Sequence, residues 1–72
     1  MKILVITKDF GVIKSAEEPF NQERFDDLTK QLEDIGDTCY KQDCSFSLED
    51  EKGNRVILNP FILRQAVLMV EK

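Results

Sequence analysis

Seventy-two residues with a formal net charge of −4, 42% apolar and 33% charged, make one small domain with a marginal core, since a chain of this length buries only about 60% of its unfolded surface. That apolar share is too large for a disordered chain. The absence of histidine removes the commonest general base and zinc ligand, and lysines and arginines scattered through an acidic chain offer no basic stripe for direct nucleic-acid binding.

The chain opens on KILVITK, residues 2–8. Its unbroken Ile3-Leu4-Val5-Ile6 predicts a strand buried on both faces and so central in its sheet. Four apolar residues ahead of Lys8 and Asp9 fall short of the roughly 7–15 of a secretory signal, and a cytoplasmic protein is expected. A turn at KDFG leads to a short second strand around Val12, Ile13 and Lys14. Asp9-Phe10-Gly11 matches the metal-binding tripeptide of protein kinases only as a string, because the other kinase elements are missing.

A helix follows. Asn21 suits an N-cap, its side-chain oxygen accepting a backbone N–H of the first turn. Phe20 and Phe25 bracket that cap as a hydrophobic staple. Phe25, Leu28, Leu32 and Ile35 recur at three- and four-residue spacing and form a narrow apolar stripe, and Gly36 stands where a left-handed C-terminal cap is wanted. After it, Cys44, Phe46 and Leu48 alternate with Ser45 and Ser47, one buried face and one wet face of a strand. DEKG at 50–53 fits a type I turn closed by a left-handed glycine, and Val56-Ile57-Leu58 return as the partner strand.

NPFILRQAVLMVEK, residues 59–72, reads as a second helix begun by the same device. Asn59 is the N-cap, Pro60 the first helical residue, and Leu58 and Leu63 form the staple. On a wheel, Ile62, Leu63, Ala66, Val67, Met69 and Val70 span an arc of about 160°, a core-facing width. Phe61 and Leu68 fall together on the opposite side, beside Arg64. The segment is far below the ~20 apolar residues that cross a bilayer, and no membrane association is expected. The whole predicts an α+β domain over residues 1–72: a three- or four-stranded, mainly antiparallel sheet with two helices packed on one face, in the order β-β-α-β-β-α.

Two surfaces suggest partners. Phe61 and Leu68, ringed by polar residues including Arg64, resemble an apolar interface anchor, and a homodimer through them would relieve the shortage of core. The second surface is electrostatic. Residues 17–51 hold twelve acidic residues against Arg24, Lys30 and Lys41, a balance of −9. On the first helix Glu23, Asp27 and Asp34 lie opposite the apolar stripe, with Asp26 and Glu33 to one side and Lys30 alone to offset them. Such a face keeps a protein soluble, and it also steers a basic partner toward it.

Chemistry has little to work with. Cys39 and Cys44 are spaced CxxxxC, neither a CxxC redox pair nor half of a standard zinc site. Their odd separation would put them on opposite faces of a regular strand unless a bulge near Gln42-Asp43 intervened, and buried thiols are expected, with a labile disulfide or an intersubunit thiol contact as the alternative. No EF-hand order and no glycine-rich phosphate loop occurs. No catalytic residue, cofactor or metal ligand is therefore assigned. The sequence predicts a small acidic, non-enzymatic interaction or regulatory protein that binds another protein, with a basic nucleic-acid-binding protein as the suited partner. Accessory products of phages and mobile elements are often of this kind. The alternatives are a structural subunit assembling through its C-terminal helix and, further off, a thiol redox sensor or enzyme.

Overall fold

In the computed structural model, which describes residues 1–41 and 44–72, with side chains at 1–38 and 44–72, β1 (Lys2–Ile6) is the central strand of a three-stranded antiparallel sheet. It lies between β2 (Val12–Lys14) and β5 (Val67–Glu71). The turn from β1 to β2 closes on Thr7, whose N–H and hydroxyl both donate to the Gly11 carbonyl at 2.9 and 2.7 Å. Gly11 takes φ 73° there, a conformation that glycine adopts without steric cost. The elements between β2 and β5 are α1 (Gln22–Lys41), the hairpin strands β3 (Phe46–Glu49) and β4 (Arg55–Leu58), and α2 (Pro60–Leu63).

The caps form as the sequence predicts. Asn21 Oδ1 accepts the Arg24 N–H at 2.9 Å, and the rings of Phe20 and Phe25 lie 5.9 Å apart. Asn59 Oδ1 accepts the Ile62 N–H at 2.9 Å, with Pro60 at the head of α2. The hairpin turn is held by Asp50, whose Oδ1 accepts the N–H groups of Lys52 and Asn54, both at 2.9 Å, and Gly53 is left-handed at φ 84°.

Two expectations are corrected. Gly36 does not end α1, which continues to Lys41. A glycine inside a helix costs about 1 kcal/mol, and the apolar spacing persists in the sequence beyond it, with Cys39 four residues after Ile35. The larger correction concerns the C-terminus. The second helix has four residues, Pro60–Leu63, and the remainder is the strand β5. The order is β-β-α-β-β-α-β, with five strands in two sheets, rather than β-β-α-β-β-α with one sheet of three or four strands. The physical reason lies in β1. Its β2 side is met by a three-residue strand, and its other edge would carry unpaired N–H and C=O groups. β5 pairs along all of it, from Lys2 opposite Glu71 to Ile6 opposite Val67.

Pairing fixes the two faces of the sheet. Ile3, Val5, Ile13 and Leu68 pack inward, against Leu48 and Leu58 of the hairpin and Leu63 of α2, with Phe46, Val56 and Ile35 around them. Val5 and Leu58 are wholly enclosed, each worth roughly 1.5–3 kcal/mol by burial alone. α1 lays its stripe on the same side, with Leu28 and Leu32 buried. A single antiparallel bridge, Ser15 to Asp50, joins the sheet to the hairpin at one corner.

Candidate functional site

The acidic helix face is present and continuous. Glu23, Asp26, Asp27, Glu33, Asp34 and Asp37 are all exposed on α1, the last of them gained because the helix runs past Gly36. Among the described residues the ion pairs lie elsewhere: the N-terminus to Glu17 at 3.9 Å, Lys2 to Glu71 at 3.9 Å and Arg24 to Glu18 at 3.3 Å. Asp26 accepts a 3.0 Å hydrogen bond from Gln22. The field of these carboxylates is thus directed at solvent rather than neutralised within the fold.

Phe61, Arg64 and Leu68 are not brought together as one helical surface. Phe61 stays 68% exposed on α2. Arg64 is the C-cap of α2, and Leu68 is on β5, packed against the core. Period-two alternation separates Leu68 from its neighbours: Val67 and Met69 point to the other face of the sheet, at 60% and 41% exposure, beside Ile6 at 38% and Val12 at 52%. That open face also carries Leu4, buried between Lys14 and Met69, and is closed at one end by the Lys2–Glu71 pair. It escaped the sequence reading because it exists only once residues 67–71 form a strand.

A second feature assembled from distant segments is a half-open groove of about 360 Å³ between α1 and β3. Arg24, Leu28 and Gln31 of α1 form one wall, and four consecutive residues, Phe46–Glu49, form the other. Met1, buried and with its ammonium donating to the Glu18 carbonyl at 2.7 Å, closes the floor.

No set of side chains here suits a metal: among the described residues, no three His, Cys, Asp or Glu groups cluster for one. Cys44 is half-buried and disulfide-bonded, in place of the expected thiol, with its sulfur 4.0 Å from the Ile35 carbonyl oxygen. The side chain of Cys39 and the expected bulge at Gln42-Asp43 lie outside the described residues. Asp50 has its carboxyl held below the ordinary value of 3.8, chiefly by the backbone N–H of Asn54 and further by that of Lys52; this is turn chemistry. No helix is long and apolar enough to cross a membrane among the described residues. No protein-family profile, curated protein or solved structure matches the chain.

Proposed function

We propose that this is a small, non-enzymatic interaction protein whose acidic helix face engages a basic protein partner, of the kind that itself binds nucleic acid. One observation carries the reading. Six exposed carboxylates share α1 with two cations among them, Lys30 and Arg24, the latter paired with Glu18 outside the helix, and none of the six is taken up by an ion pair within the described fold. A one-signed field of this sort accelerates encounter with an oppositely charged surface and discriminates against acidic ones. A basic nucleic-acid-binding surface, evolved to meet closely spaced phosphates, is complementary to it.

The test is capture of the partner from the native host on immobilised protein at low and high salt. The Debye length falls from about 10 Å at 0.1 M to about 3 Å at 1 M, so the partner is retained at the first and released at the second. The charge-reversed Glu23→Lys/Asp27→Lys protein retains nothing. A partner held equally well at both salt concentrations, or by the charge-reversed protein, overturns the reading.

A second reading is favoured by a different observation, the exposed apolar row Ile6, Val12, Val67 and Met69 on the open sheet face. We propose self-association as a homodimer through this face. Its charges are the paired Lys2 and Glu71 and the single Lys14, so two copies meet there without the repulsion their acidic helices would cause.

A further inference from the structure

We infer that the groove between α1 and β3 is a binding site for an extended peptide segment, which adds to β3 as an extra strand. The inference rests on reading the chain as a protein-binding domain, but it uses neither the acidic face nor the open sheet face.

The phase of the hairpin decides which main-chain groups of β3 point outward. Asp50 donates its N–H to the Asn54 carbonyl at 2.9 Å, so 50 and 54 are a hydrogen-bonded pair. In an antiparallel ladder bonded pairs alternate with non-bonded ones. The register sets Leu48 opposite Val56 and Phe46 opposite Leu58, which makes those the next bonded pairs. The main-chain groups of Ser47 and Glu49 therefore point away from β4. Ala16 verifies this phase from the far side, since its N–H donates to the Glu49 carbonyl at 2.9 Å.

Beyond Ala16 the neighbouring chain leaves β3. The Glu18 N–H turns instead to the Met1 carbonyl at 2.9 Å. Among the described residues no backbone group takes up the outward N–H and C=O of Ser47, and that stretch of edge forms a wall of the groove. An unpaired strand edge is a template for a further strand. Here α1 stands opposite it, so a whole sheet is kept away while a single extended segment fits between helix and strand, the geometry of β-strand addition.

The chemistry of the walls selects the occupant. Arg24 and Lys2 are each tied to a carboxylate, Glu18 and Glu71, and Glu49 is the one lining carboxylate outside an ion pair among the described residues, so the rim carries little net charge to prefer an ionic ligand. The floor is apolar, with Met1, Leu28 and Leu48 buried and Phe46 half-buried. A strand lying on it presents alternate side chains downward. The segment is uncharged at its centre, with one aliphatic residue directed at Leu28 and Leu48 and polar residues on either side. Ala16 already holds Glu49, so the open edge is Phe46–Leu48, roughly 10 Å at about 3.3 Å per residue, which sets the paired length at about three residues.

The experiment selects heptapeptides from a random phage-displayed library on the full chain. A recovered sequence is synthesised with blocked termini and titrated into ¹⁵N-labelled protein. Saturable amide shifts centred on Ser47 are expected, with exchange of the Ser47 amide slowed tenfold or more in the complex. Ser47→Pro removes an N–H that β4 does not use, a substitution that edge strands tolerate, and it weakens binding at least tenfold. Ser47→Ala, which keeps the N–H, and Glu23→Lys/Asp27→Lys both bind as wild type does. The proposal is overturned by a library that yields no binder, by shifts mapping elsewhere, or by a folded Ser47→Pro protein that binds normally. Protection of Ser47 that rises with protein concentration without peptide also overturns it, assigning the edge to a second copy. Should Ser47→Pro fail to fold, the shifts and exchange on wild-type protein decide the matter.

Discussion

Leu68 of β5 stands directly across from Val5 of β1, on the face of the sheet that packs onto the hairpin and α2, while the next residue back, Val67, faces the opposite way. This relationship separates a strand from a helix at the C-terminus and has a direct energetic consequence. Leu68→Ser removes apolar contacts and places a hydroxyl against the core, at a cost of about 2–4 kcal/mol. Val67→Ser and Phe61→Ser remove side chains that are mostly in water and cost under about 1 kcal/mol. Urea midpoints of the three variants at neutral pH check the ranking. Equal loss at positions 67 and 68 would mean that the segment does not alternate.

Asn21 and the Phe20–Phe25 staple set where α1 begins, and α1 carries the acidic face. Asn21→Ala loses the bond to the Arg24 N–H and costs about 1 kcal/mol, whereas Asn21→Asp keeps an acceptor there and costs a few tenths at most. Far-ultraviolet circular dichroism during urea titration reads both. A silent Asn21→Ala would show that the cap makes no net contribution.

Both caps, the staple and the hairpin turn were legible because each is written within about five consecutive residues. Asn21, Asn59 and Gly53 owe their roles to local backbone geometry. The fate of Val67–Glu71 was not legible in the same way. A short run such as AVLMV satisfies a 3.6-residue and a 2-residue period almost equally. What decides between them is the unpaired edge of β1, some sixty positions away in the chain. The acidic face could be read from spacing on a single helix. The groove could not, since Met1, Arg24 and Ser47 meet only through tertiary packing.

The Asp50 carboxylate accepts the Lys52 and Asn54 N–H groups, and its pKa in the folded chain lies below the ordinary 3.8, with the Asn54 backbone N–H as the leading cause. A group whose folded pKa is depressed contributes stability that is present above its unfolded pKa and is lost as pH falls through the folded one. Asp50→Asn retains a weaker acceptor and does not titrate. The stability gap between wild type and Asp50→Asn is therefore constant from pH 7 to about 5 and narrows below 3.8. Urea midpoints at a series of pH values measure it, and a gap that widens on acidification would reverse the sign of the argument.

The size of the open sheet face limits how strongly two copies can associate. A face three strands wide offers less than the ~800 Å² per partner of a standard interface, so the homodimer is weak and must be sought at high protein concentration. Sedimentation velocity shows a mass rising with concentration for wild type and constant for Val67→Thr/Met69→Gln, which removes the apolar row without touching Leu68 or the core. Salt separates this association from binding of a basic partner. Screening weakens the attraction of a basic protein to α1, but it relieves the mutual repulsion of two chains of net charge −4 and so strengthens the dimer. A wild-type mass that stays monomeric at every concentration, or a dimer that dissociates as salt is raised, would leave the exposed Ile6, Val12, Val67 and Met69 without a second copy to cover them.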